Sequence, residues 1–287
     1  MTPSKPARPI RFFFDGKVVE VEGSATTRTV LQWLREDARR PGTKEGCAEG
    51  DCGACTVIVG EPAADGTLHL QTVNACIRLL PTLDGKALFT VEDVKPAADT
   101  LHPIQRALVD THASQCGYCT PGIVMSLTAS YERHLDANTR PTRQQLANDL
   151  AGNLCRCTGY KPILDAGERM FDAPAVRLDT SAALKALSTL SSEDFEYRAA
   201  SAADAVQTVS VVGSRRVTAS SATDTMVPVD IIPMTKVAEQ GGQFDLACIQ
   251  STLHFTGVGK HQAFALAVDA VTGGVVQAQH HVLRRND

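Results

Sequence analysis

Apolar residues run together in short stretches over the first third of the chain and recur at helical spacing over the second. IRFFF and KVVEV, within residues 10–21, flank Asp15-Gly16, a two-residue link that tolerates positive φ and predicts a β-hairpin. In TTRTVLQWLRED, Val30, Leu31 and Leu34 share one helical face with Trp33 beside them, and Pro41-Gly42 predicts the end of that helix. GCAEGDCGAC, with glycine at 46, 50 and 53, is too broken for regular structure and predicts a loop. TVIVG then reads as a buried strand, LHLQTVNAC follows a turn at Asp65-Gly66, and KALFTVEDV follows Asp84-Gly85. Together these predict a compact mixed α/β domain of ferredoxin proportions over residues 8–95.

The period then changes from two to 3.6. Leu101, Ile104, Leu108 and Val109 mark a first helix. Thr120-Pro121 reads as an N-cap with proline in the first turn, continued by GIVMSLTASYERHL. Thr142 and Gln145 form a capping box ahead of Leu146 and Leu150, and Gly152-Asn153 ends that helix. A last helix is predicted from Pro162 to about Phe171. The expected fold class is therefore α+β: the first domain, then a four-helix domain over residues 98–175. Residues 176–287 are Ala- and Ser-rich at first, with short strand-like pieces later, and predict a linker and a tail whose fold the pattern leaves open.

Composition narrows the class. The chain has 287 residues, room for two small domains and a third, each expected to have its own core. Aromatics are 5% of residues, so those cores are expected to be mainly aliphatic. A net charge of −4 offers no basic footprint for nucleic acid. No apolar run approaches the roughly 18 residues of a membrane span, and the N-terminus has no signal-peptide pattern. With nine cysteines and no export signal, a cytoplasmic location is expected, where cysteines bind metal or catalyse more often than they pair.

Eight of those cysteines form two sets. Cys47, Cys52 and Cys55 read C-x4-C-x2-C, with Cys76 following after twenty intervening residues. This is the plant-type ferredoxin spacing, four thiolates around a 2Fe–2S cluster. Glycines in the loop let the backbone aim N–H groups at the sulfurs, and such bonds favour the more negative, reduced cluster. Cys116 and Cys119 form a C-x2-C pair at a predicted helix start, where the helix dipole favours thiolates. Cys155 and Cys157 complete that set, with Arg156 between them expected to raise its potential. Structural zinc is the competing reading, more so for the second set than the first. Cys248 reads as a plain buried thiol, His280-His281 as solvent-facing, and Glu45 and Asp51 as solvated turn residues. No Ser-His-Asp set, Walker loop or G-x-G-x-x-G after a strand supports a hydrolase or a nucleotide-binding protein.

GTKEGCAEGDCGACTVIVGE, VNACIRLLPTLDGKALFTVEDV, LHPIQRALVDTHASQCGYCTPGIVMSL and LAGNLCRCTGYKPILDAGERMF span most of residues 10–172. At these motifs the chain closely resembles the iron–sulfur part of the molybdenum hydroxylases, above all the small subunits of bacterial xanthine dehydrogenases. The resemblance implies a plant-type ferredoxin-like (β-grasp) domain and a helical domain, each with its own 2Fe–2S cluster. It implies a large partner subunit carrying molybdopterin, approached by Gln115 and Cys157, and transfer of electrons toward FAD and NAD through a flavin-binding domain or subunit. In this family a glycine-rich flavin loop follows; after FEYRAA near residue 200 fewer than ninety residues remain, and Gly241-Gly242 is a poor substitute. FAD is therefore not assigned to this chain, and the tail reads as a truncated or altered flavin region. The expected function is electron transfer in such a hydroxylase, with no catalytic residue here and with substrate oxidation, in purine catabolism, on the partner. The alternatives are a stand-alone 2Fe–2S carrier or redox sensor, a zinc-stabilised interaction module, and an inactive remnant unable to assemble.

Overall fold

The computed structural model describes residues 8–63, 65–96, 100–190 and 195–199, and the backbone of 208–212, 216–220 and 226–229. The expectations for Gly241-Gly242, Cys248 and His280-His281 concern residues outside those described.

The predicted hairpin forms between β1 (Ile10–Phe14) and β2 (Lys17–Val21), with Phe14 opposite Lys17 across the Asp15-Gly16 link. Both link residues have positive φ, 50° and 76°, the turn whose twist matches the strands. Strands β3 (Thr56–Pro62), β4 (Leu68–Asn74) and β5 (Ala87–Phe89) complete a five-stranded sheet in the order β2-β1-β5-β3-β4. β1 and β5 run parallel; the other pairs are antiparallel.

The apolar runs are continuous because this sheet is covered on both faces. Phe12, Phe14, Val57, Val59 and Leu88 point to one side, and Phe13, Ile58, Ala87 and Phe89 to the other. On the first side Trp33 packs edge-on between Phe12 and Phe14, each ring centroid 5.1 Å away. Trp33 lies on α1, which starts at Val30–Gln32 and continues as a π-helical turn over Trp33–Asp37, ending short of Pro41.

On the second side lie α2 (Pro103–Asp110), α3 (Thr120–Asp136), α4 (Arg143–Asp149) and α5 (Lys161–Arg169). Their buried residues, including Ile104, Ile123, Leu127 and Ile163, form one cluster with Phe13, Ile58 and Phe89 of the sheet. The first domain thus has a core of its own on one face of the sheet, while on the other face it shares one with the helices. Thr142 and Gln145 do form a capping box. Thr120, by contrast, is inside α3; Cys119 caps the helix, and the Thr120 hydroxyl instead meets Ser114 Oγ at 2.8 Å.

Beyond α5 the chain is tied back. His102 caps α2, its Nδ1 accepting from Ile104 N–H at 3.3 Å while Nε2–H donates to Val176 O at 2.8 Å. Glu132 accepts from Leu178 N–H at 2.7 Å. A short helix, α6 (Ser181–Leu187), buries Ala183 and Leu187 against the helical core. β6 (Phe195–Arg198) then returns to the first domain. Phe195 and Tyr197 join its core, and Arg8 stacks 3.6 Å above the Phe195 ring while pairing with buried Asp84. β6 leads a second antiparallel sheet with β7 (Thr208–Val212), β8 (Arg216–Ser220) and β9 (Met226–Val229).

Burial holds the His102 imidazole below its ordinary pKa, against the Val176 carbonyl, which favours the protonated ring. The folded state therefore binds fewer protons than the unfolded one. Stability is complete above the unfolded value near ~6.5 and is lost as pH falls below it. The slope from this group is at most about 1.4 kcal/mol per pH unit. Thermal melts between about pH 7.5 and 5.5 are expected to show a shallower loss for His102→Asn, which keeps a capping acceptor; identical slopes would remove His102 as the cause.

Candidate metal centres

The first cysteine loop is shaped around sulfur. Asp51 and Cys52 donate their backbone N–H groups to Cys47 Sγ at 3.2 and 3.3 Å, and Cys47 N–H donates to Cys52 Sγ at 3.4 Å. A Cβ at Gly46 would lie 2.6 Å from Cys52 Sγ, so only glycine leaves that sulfur its place. Cys76 arrives from the turn after β4, held by the Asn74 side chain, which donates to Gly50 O at 2.6 Å, and by Ala75 N–H to Cys55 O at 3.2 Å. Glu45 and Asp51 stay exposed.

The second set is built at the start of α3 and in the loop after α4. Cys116 and Cys157 are exposed, Cys119 is half-buried and Cys155 is buried. Gln115 and Arg156 are exposed beside them.

The sulfurs come in twos. Hydrogen bonds pair Cys47 with Cys52, Cys55 with Cys76, Cys116 with Cys157 and Cys119 with Cys155. In three of these pairs one thiol is poised to ionise and its partner keeps the proton. The Cys76 S–H donates to Cys55, which falls to about 7 in spite of burial, and Cys76 rises. Cys116 is lowered by the Tyr118 backbone N–H and by the S–H of Cys157, which is raised in turn. Burial, with the bond to Cys155, pushes Cys119 up to about 12, so the expected help from the helix start is outweighed there. Burial also works against Cys155, but Thr158, through its hydroxyl and its N–H, together with Cys119 lowers it overall. Cys47 is lowered too, burial being outweighed by the N–H groups of Glu49, Cys52 and Asp51.

Among the described residues no three His, Cys, Asp or Glu side chains converge as ligands of a single ion. Two adjoining thiols per position, repeated twice in each set, are what a two-iron cluster takes: four cysteines, two on each iron. The residues present fit that group, soft thiolates throughout with N–H donors already aimed at the sulfurs.

The two sets are also joined. Leu154 N–H donates to Cys52 O at 2.9 Å, so a residue next to Cys155 is bonded to a residue of the first set. Buried Asn153 donates to Gly53 O and accepts from Ser126 Oγ, and the Tyr118 hydroxyl donates to Glu45 O. None of these contacts was read from the sequence, where Gly152-Asn153 looked like a helix stop. The available signal was position: Tyr118, Asn153 and Leu154 each lie within two residues of a cysteine.

Residues 12–79 match the 2Fe-2S iron-sulfur cluster binding domain, and residues 90–168 match the 2Fe-2S binding domain. The chain carries two 2Fe–2S-binding domains. Their relatives are oxidoreductases. Over 167 residues the chain is 43% identical to aldehyde oxidase 2 of Rattus norvegicus, covering 58% of this chain and 12% of that protein. Over 140 residues it is 49% identical to xanthine dehydrogenase of Oryza sativa subsp. japonica, covering 48% of this chain and 10% of that one. The chain therefore spans only about an eighth or less of the length of these relatives. Among solved structures, aldehyde oxidoreductase from Desulfovibrio desulfuricans aligns with a TM-score of 0.48 at 33% identity, over 57% of this chain and 17% of that one. Quinoline 2-oxidoreductase from Pseudomonas putida aligns with a TM-score of 0.45 at 29% identity, over 63% and 95%. The two 2Fe–2S domains are homologous to part of the aldehyde oxidases and of xanthine dehydrogenase alike, so xanthine is not singled out. Among the described residues no helix is long and apolar enough to cross a membrane.

Proposed function

We propose that this chain is the electron-transfer part of a molybdenum hydroxylase. Cys47, Cys52, Cys55 and Cys76 hold one 2Fe–2S cluster, and Cys116, Cys119, Cys155 and Cys157 hold the other. Each cluster, when bound, accepts and releases one electron at a time. The protein holds the two loops in fixed register and keeps the inner sulfurs dry. The observation that carries the reading is the 2.9 Å bond from Leu154 N–H to Cys52 O, which leaves only short covalent segments and one hydrogen bond between ligands of the two sets.

In this reading the work divides between the domains, which we place at 8–95 and 98–175. Exposed Gln115, Cys116 and Cys157 face a molybdopterin-bearing partner, where the substrate is oxidised. The buried pair Cys55 and Cys76 belongs to the set that passes electrons on toward a flavin-binding domain or subunit, and NAD. A purine such as xanthine as the partner's substrate, and a cytoplasmic setting, rest on the quoted motifs alone.

The anaerobically purified chain is expected to carry about four iron atoms and to give two distinct S = 1/2 EPR signals on reduction. Cys76→Ser is expected to abolish one signal and Cys157→Ser the other. A colourless, zinc-loaded protein would end the electron-transfer reading, and bound FAD would move the flavin site into this chain.

A further inference from the structure

The six residues from Cys155 to Tyr160 form a turn more constrained than ligand binding by four thiolates requires. Gly159 and Tyr160 both have positive φ, 65° and 67°, and for a bulky side chain that conformation persists only where the surroundings hold it. Here Cys155 N–H donates to the Tyr160 hydroxyl at 2.9 Å, and Tyr160 N–H donates to Thr158 Oγ1 at 3.2 Å. Thr158 Oγ1 in turn lies 3.2 Å from Cys155 Sγ.

The direction of that last contact follows from the others. A hydroxyl has one proton and two lone pairs. Tyr160 N–H occupies one lone pair, and a metal-bound thiolate can only accept, so the Thr158 proton is directed at sulfur. The left-handed backbone at Gly159 turns the 159–160 peptide so that the Tyr160 N–H meets that hydroxyl and fixes its orientation.

We propose that Thr158 is a potential-setting residue of the helical-domain centre: its hydroxyl donates to the Cys155 thiolate and raises that centre's reduction potential, with Tyr160 positioning it. The inference rests on the reading of Cys155 as a cluster ligand. The direction follows because a donor to sulfur stabilises the reduced cluster, the more negative form. Thr158 acts through Cys155, on the same stretch of chain as the Leu154 bond to the first set, so it biases where an electron resides between the two centres.

The test is an EPR-monitored redox titration of the full chain with both centres loaded, comparing Thr158→Val, Thr158→Ala and Thr158→Ser. Val, nearly isosteric, and Ala both lack the donor. Each is expected to lower the reduced-to-oxidised ratio of one S = 1/2 signal about tenfold at a fixed solution potential, ~59 mV for a one-electron couple. The other signal should not move, and Ser should restore the original potential. Two signals with no selective shift in either Val or Ala would overturn the inference while leaving the two-cluster reading intact. Failure of the unsubstituted chain to give two signals would overturn that reading and this inference together.

Discussion

Gly122→Ala is expected to push the two cysteine-bearing domains apart and to cost the protein more than about 3 kcal/mol. A Cβ at residue 122 would stand 2.1 Å from Gly53 O and 3.2 Å from Gly53 C, all backbone atoms with no side chain to swing aside. Gly53 cannot retreat, because it is the middle of the C-x2-C loop, its φ is +68°, and its own Cβ position is 2.1 Å from Gly152 O. Three segments that carry cysteine ligands thus touch main chain to main chain. Ordinary overpacking costs ~1–3 kcal/mol because neighbours shift; here a shift must separate the loops and break the Leu154–Cys52 bond. For a protein of this size the loss corresponds to a drop in melting temperature of about 6–12 °C. Gly152→Ala is the control, since a Cβ there meets nothing within 4 Å. If thermal unfolding of the two variants proved alike, the backbone contact would not be what holds the domains.

That contact shows where reading the sequence stops. Local rules served well: the Asp15-Gly16 link set the register of β1 and β2, and Thr142 and Gln145 capped α4 as their spacing requires. The cysteine spacings led to two 2Fe–2S domains because the cluster demands particular loop geometry, and glycine and cysteine positions record that demand directly. What was missed is non-local or weakly patterned. α6 buries only Ala183 and Leu187, too little periodicity to stand out in an Ala-rich stretch. Phe195 and Tyr197 sit in FEYRAA, within the stretch 176–287 that reads as linker and tail, yet they complete the core beneath β1 through Arg8 and through the Tyr197 hydroxyl bond to Ser24 O at 2.9 Å. Trp33 begins a π-helical turn and its ring packs between Phe12 and Phe14, a non-local fit that helical spacing does not record. Chain order says nothing about a partner 100 residues away, and Asn153 is such a case.

Asn153→Ala is expected to cost about 3–5 kcal/mol, from bonds each worth about 1–3 kcal/mol once a buried partner is left unpaired. The side chain is 4% exposed and reaches three segments. Its Nδ2 donates to Gly53 O at 3.0 Å and to Thr56 Oγ1 at 3.2 Å, and its Oδ1 accepts from Ser126 Oγ on α3 at 2.6 Å. The orientation of the amide is forced: the Thr56 hydroxyl already gives its proton to Gly53 O at 2.7 Å, leaving only a lone pair for Nδ2. Asn153→Asp should be at least as damaging as alanine despite its shape, because a carboxylate cannot donate to Gly53 O and has no cation beside it among these contacts. Ser126→Ala leaves only Asn153 Oδ1 unpaired and should cost about 1–3 kcal/mol, less than Asn153→Ala. Denaturant unfolding of the single variants and of the Ser126→Ala/Asn153→Ala pair decides the matter, with a double-variant loss smaller than the sum expected for groups that share a bond. Additive losses would mean that Ser126 and Asn153 do not share a bond, and an aspartate variant as stable as the parent would mean that Asn153 does not join the two cysteine loops.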